Sequence, residues 1–178
     1  HPTASVPQAS QTTSDSRSCY RFWANPSVQA EQILSSHRRG VINRMQKQAV
    51  VLAIQDTTDL NFSTHGATDG LGFINQTAQQ GLKVHSCFAV SGEGAPLGLL
   101  HQQCWARAHR SGQKAQRRRK PIEQKESYRW LETAQAAESD VPAATQLIHI
   151  GDREADIFEL FAQPRAPQSE LLIRAEQN

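Results

Sequence analysis

A mixed α/β domain is what the order of apolar segments predicts, and three observations carry the prediction. Two strand-length apolar runs, "AVVLAI" at 49–54 and "LIHI" at 147–150, each give way to an aspartate within two residues. Between them, "LKVHSCFAV" and "APLGLLHQQCWAR" are joined by Ser91-Gly92-Glu93-Gly94, the turn signature of a hairpin. After that hairpin, helix-period segments alternate with strands. The full order is helix, strand, two-stranded hairpin, helix, strand, helix, strand, which belongs to a mixed sheet with flanking helices.

The opening "HPTASVPQASQTTSDS" is rich in Ser, Thr, Gln and Pro and has no periodicity, so residues 1–18 are expected to be disordered or the remnant of an N-terminal region. Residues 19–48 read as a helical connector. "CYRFWANPSV" is an aromatic cluster stopped at Asn25-Pro26, and a helix follows from about Val28 to Gln46. Ile33, Val41 and Met45 share one face of it, and Gly40 weakens it slightly. Residues 49–178 hold the sheet. After the first strand, "STHGATDGLGFINQTAQQG" reads as a loop, and "IEQKESYRWLETAQAAE" as a helix turning Tyr128, Leu131 and Ala134 to the sheet. The second aspartate strand leads into a helix with Ile157, Leu160 and Phe161 on one face, ending before Pro164. "ELLIRAEQN" is the last strand.

Composition narrows the class. The length, 178 residues, suits one domain of ordinary size, although a mean hydropathy of −0.58 is on the polar side. The longest apolar stretches are strand-length and no charged-then-apolar leader opens the chain, so neither membrane insertion nor secretion is expected. Cys19, Cys87 and Cys104 are odd in number and lack C-x-x-C spacing, which argues for reduced thiols and against a zinc ribbon. The seven histidines lack zinc spacing, and His85 and His149 read as core or sheet-edge residues. The formal charge is only +2, yet Arg107 to Lys120, "RAHRSGQKAQRRRK", contains no acid. It is either a solvated loop or a phosphate-contacting patch centred on Arg117, Arg118, Arg119 and Lys120.

The two aspartates carry the chemical interest. Asp152 follows a strand and precedes a helix, where Asp is a preferred N-cap, and Asp56 leads into Thr57 and Thr58 as an Asx-turn residue would. The other reading is that both end adjacent parallel strands, about 4.8 Å apart, and bind the same metal ions. The element order matches the ribonuclease H-like fold, in which the first and fourth strands are parallel neighbours, and that adjacency would bring Asp56 and Asp152 together.

The stretches "AIQDTTDLNF", "GLLHQQCWAR", "EQKESYRWL" and "GDREADIFELF", in this order, closely resemble transposases of the IS4 family, in particular the Tn5-like group. "CYRFWANPSV" is similar to the stretch joining their N-terminal DNA-binding region to the catalytic domain. The resemblance runs from about Cys19 to the C-terminus. It implies a DDE transposase with Asp56 and Asp152 as the first two acids of the triad, holding divalent ions, normally Mg²⁺ or Mn²⁺. It also implies metal-dependent cleavage and strand transfer in cut-and-paste DNA transposition, transposon ends and target DNA as partners, and a homodimer on DNA. Arg174 matches a basic position that approaches DNA in the family, and Arg153 lies beside the acids. A cytoplasmic, nucleoid-associated bacterial protein is the expected setting.

The third acid of the family lies on a later helix in a Y-x₂-R-x₃-E-x₆-K pattern, and no Tyr follows Tyr128. Glu154, Glu159, Glu170 and Glu176 do not fit that place. The chain is accordingly expected to be a fragment whose sheet is incomplete at its C-terminal end, inactive alone. The alternative is a non-catalytic DNA-binding or dimerising remnant that interferes with full-length transposase.

Overall fold

Strand alternation explains the architecture from β1 (Val50–Asn61) outward, since its even and odd residues meet different surroundings. The computed structural model describes residues 4–75, 79–107 and 119–176. The chain divides into two units, His1–Ser36 and His37–Asn178. The sequence reading placed boundaries after residues 18 and 48.

In the first unit, α1 (Val6–Ala9) and α2 (Thr13–Trp23) occupy part of the stretch expected to be disordered. A reciprocal cap explains α2: Asp15 N donates to Thr12 Oγ1 at 3.1 Å and Thr12 N donates to Asp15 Oδ2 at 3.0 Å. The helix α3 (Ala30–Met45) spans the division. Val41 and Met45 are fully buried, whereas Ile33, expected on the same face, is half exposed.

The second unit is a mixed α/β structure around one six-stranded sheet. Besides β1 it contains β2 (Gly72–Phe73), β3 (Gln80–Ser91), β4 (Pro96–Trp105), β5 (Gln146–Gly151) and β6 (Ser169–Ile173). The order is β2-β3-β1-β5-β6, with β4 also paired to β3. β1 runs antiparallel to β3 and parallel to β5, and β6 is parallel to β5. β2 lies in the stretch expected to be loop. The expected hairpin is β3–β4, turned at Gly94 with its φ of 89°.

The helices cover one face of this sheet. Val51 and Ala53 of β1, Cys87 and Ala89 of β3 and Leu147 of β5 pack with Val41 and Met45 of α3 and with Ala137 of α4 (Tyr128–Glu138). A second cluster joins Trp130, Leu131 and Ala134 of α4 to Ala155 and to Leu160 of α5 (Phe158–Ala162). β4 is bulged, and α3 answers its irregular backbone. Arg38 Nη1 donates to Leu100 O at 3.1 Å, Arg44 Nε donates to Leu97 O at 2.7 Å, and Leu99 N donates to His37 Nε2 at 3.0 Å. At Gly98, with φ 129°, an added Cβ would stand 2.8 Å from Val41 Cγ2.

Two predicted helices differ in detail. The one read from Ile122 is a 3₁₀ turn at Ile122–Gln124 followed by α4, which buries the expected Leu131 and Ala134 together with Trp130, Thr133 and Ala137, with Tyr128 half-buried against them. The one read from Asp152 is a 3₁₀ turn at Arg153–Ala155, interrupted at Asp156 and Ile157 before α5 starts. His85 and His149 are buried, and all three cysteines are free thiols. Among the described residues, no helix is long and apolar enough to cross a membrane.

Candidate functional site

The opposite face of the sheet carries two successive cross-strand rows. Leu99, Phe88, Ile54, Ile150 and Leu172 are register partners in turn from β4 to β6, an apolar row with Ile54, Phe88 and Leu172 exposed. The next row toward the C-terminal end of β1 is polar: Gln102 pairs with Ser86, and Ser86 pairs with Asp56. Gln102 Nε2 donates to Ser86 Oγ at 2.9 Å. The β1–β5 ladder ends at Ile54 and Ile150, and Asp56 and Asp152 each lie two residues beyond that last pair. The β5–β6 ladder ends at Gly151 and Ile173, and Asp152 and Arg174 are the residues that follow them. Asp56, Asp152 and Arg174 are all exposed at this edge.

Asp56 does not end its strand. β1 continues to Asn61 because β3 keeps pairing with it after β5 has stopped. The Asx-turn reading is therefore corrected: Asp56 is extended backbone opposite Ser86, with its Oδ1 accepting from Thr57 N at 2.8 Å. Asp152 does cap, as position alone suggested. Its Oδ1 accepts from Glu154 N at 2.9 Å at the start of the 3₁₀ turn. Among the described residues, Oδ2 of neither aspartate receives a hydrogen bond from the protein.

Gly151 explains how the turn reaches this place. A Cβ there would lie 2.6 Å from Ala155 Cβ and 3.2 Å from Trp130 Cζ3, so only glycine lets the 3₁₀ turn fold back under the strand end. Arg174 N donates to Gly151 O at 3.1 Å, which ties the end of β6 to the same edge. Arg153 is exposed on the turn. Arg119 and Lys120 are exposed, while Arg117 and Arg118 lie outside the described residues.

A polar network lies on the covered side of the same edge. His85 Nε2 is 3.2 Å from Gln55 Oε1, and His85 Nδ1 is 2.8 Å from Thr57 Oγ1. Arg129 Nε donates to Thr57 Oγ1 at 3.0 Å. The His85 ring meets Trp130 edge-on at 4.6 Å. Burial, with Arg129 and His101 nearby, pushes the His85 pKa down to about 3, so the ring is neutral. None of Gln55, His85, Thr57 and Arg129 was singled out from the sequence as a site residue; only their mutual contacts across β1, β3 and α4, beside Asp56, mark them.

As a ligand set, the two aspartates supply hard oxygen donors of the kind that suit Mg²⁺ or Mn²⁺. Among the described residues, no group of three or more His, Cys, Asp or Glu side chains is placed to hold a metal ion. Glu154, the nearest further carboxylate in sequence, is engaged by Arg129. Models of known protein families were searched, and none matches the chain.

Proposed function

We propose that Asp56 and Asp152 are two carboxylate ligands of a divalent-metal centre that cuts and joins DNA, the chemistry of the IS4-family DDE transposases that the sequence resembles. The observation carrying this reading is that β1 and β5 are parallel neighbours and that Asp56 and Asp152 each lie two residues beyond their last register pair, Ile54 and Ile150. The C-terminal edge of parallel strands is where ligand sites of open α/β sheets collect. β1 beside and parallel to β5 is also the adjacency a ribonuclease H-like sheet requires.

The roles of the chain's own residues follow from their places. One oxygen of each carboxylate is oriented by a backbone N–H, at Thr57 for Asp56 and at Glu154 for Asp152, which leaves the other for an ion. Arg174, which follows β6, and Arg153, Arg119 and Lys120, all exposed, suit contact with DNA phosphates. Bound there, Mg²⁺ or Mn²⁺ would supply Lewis-acid activation of the attacking oxygen and stabilise the leaving one. Transposon ends and target DNA are the substrates on this reading, a homodimer is the acting form, and the nucleoid is its setting. The family's third carboxylate has no counterpart in this sequence, so strong turnover is not expected from these 178 residues alone.

Calorimetric titration with Mn²⁺ tests the centre: Asp56→Asn and Asp152→Asn each weaken binding while the fold persists. Equal affinity in wild type and both variants defeats the reading. The exposed cations Arg119 and Lys120 favour the alternative, a non-catalytic DNA-binding remnant. It wins if replacing Arg117, Arg118 and Arg119 by Ala abolishes DNA retention while neither Asp change alters any activity.

A further inference from the structure

Asp56 is held from below by its two neighbours in sequence. Gln55 is buried on the helix side of the sheet, where its Oε1 meets His85 Nε2. Thr57 Oγ1 lies on the same side, between His85 Nδ1 and Arg129 Nε. One assignment of protons satisfies every group. With Oγ1 accepting from Arg129, the hydroxyl donates to His85 Nδ1, and the ring proton sits on Nε2 facing Gln55 Oε1. Because successive side chains of a strand point to opposite faces, pinning residues 55 and 57 below the sheet sets the direction of Asp56 above it.

The same guanidinium reaches the second aspartate's segment. Arg129 Nη2 donates to the Glu154 carboxylate, and Nη1 donates to Glu126 O at 2.8 Å. Its Cζ stands 5.9 Å from the Trp105 ring centre and 5.6 Å from that of Trp130, and only 11% of the side chain is exposed. Glu154 in turn supplies the backbone N–H that orients Asp152. Arg129 thus touches one residue next to Asp56 and another whose backbone holds Asp152.

We propose that Arg129 is a positioning residue that sets Asp56 and Asp152 relative to each other, holding Thr57 with one edge of its guanidinium and Glu154 with another. The inference rests on the reading of the two aspartates as metal ligands. Lysine keeps the charge but is a point donor on a flexible stem, without the planar fork that engages both partners at once. The rigid fork, rather than the positive charge, is what the geometry uses.

The test is Mn²⁺ binding to the whole chain, followed by electron paramagnetic resonance beside thermal melts. Arg129→Lys is expected to melt near the wild-type temperature and to lose roughly tenfold in Mn²⁺ affinity, the scale on which residues behind metal ligands act. Thr57→Val, which removes only the hydroxyl, is expected to lose a similar factor and decides the matter if the Arg129 variant does not fold. Combined with Asp56→Asn, Thr57→Val should not weaken binding further, because Thr57 lies beside Asp56 alone. A purely structural Arg129 would lower the melting temperature and leave affinity alone. Wild-type affinity in Arg129→Lys and Thr57→Val, against weakened Asp variants, overturns the inference while the metal reading stands. Unchanged affinity in both Asp variants removes the metal reading and the inference with it.

Discussion

The two faces of the sheet are made from the same strands and behave as different materials. On the covered face, Val51, Ala53, Cys87, Ala89 and Leu147 are entirely buried under α3 and α4, and His85 is buried there with Gln55 and Thr57 as partners. On the open face, the row of Leu99, Phe88, Ile54, Ile150 and Leu172 stays accessible, with Leu172 61% exposed. The carboxylates stand beside that row. The difference teaches that the pleat divides one strand between two surroundings: alternate residues of β1 face the packed core and the open face that carries Asp56.

The largest effect should come from breaking the covered face. Trp130 is 1% exposed and touches both the His85 network and the α5 cluster, so Trp130→Ala should cost about 3–5 kcal/mol in urea unfolding. A loss below about 1 kcal/mol would mean that α4 is not what holds this face together. Gly151→Ala probes the hinge between strand and site. The added Cβ collides with Ala155 and approaches Ile173 and Trp130, and overpacking of this kind costs roughly 1–3 kcal/mol. If the same change leaves both stability and Mn²⁺ binding untouched, the fold-back of the Asp152 turn under the strand is not tightly set.

Acid should act through the covered face as well. His85 is held at about 3 by burial and the nearby Arg129 and His101, against an ordinary value of 6.5, so the unfolded chain takes up its proton first. The stabilisation is complete above pH 6.5 and is lost as the pH falls toward 3, with a limiting slope of about 1.4 kcal/mol per pH unit for one proton. Burial lowers His101 too, in the same direction. For Glu138, burial alone would raise the carboxyl, but hydrogen bonds from His149 and Ala166 N outweigh it and lower the pKa, which matters at more acidic pH. Urea melts between pH 7 and 5.5 should therefore show falling stability in the wild type and a shallower fall in His85→Asn. The smallest effect belongs to the open face: Leu172→Ser should change stability by no more than about 0.5 kcal/mol, and a larger loss would show that this row is covered in solution.

Much of the fold was legible in periodicity. The runs 49–54 and 147–150 became β1 and β5, the Ser91–Gly94 signal became the β3–β4 turn, and α3 starts and stops close to its predicted ends. Helix ends were less legible where local chemistry competed. The Asp152 cap and the break at Asp156–Ile157 turned one predicted helix into a 3₁₀ turn and a short α-helix. β2, two residues long, carries too little pattern to be read at all. The candidate aspartates were found because each follows an apolar run, but their supporting network was not, because Gln55, His85, Thr57 and Arg129 look unremarkable one at a time.

By itself the sequence determined which residues alternate and which acids follow the strands, because these depend on neighbours within a few positions along the chain. Only the tertiary structure decided that β1 runs on past β5, that Asp56 therefore lies within a strand, and that one arginine on α4 reaches the segments of both aspartates. Those facts depend on pairings and contacts between residues 25 to 96 positions apart, from Arg129–Glu154 to Ile54–Ile150, for which no local pattern encodes a distance.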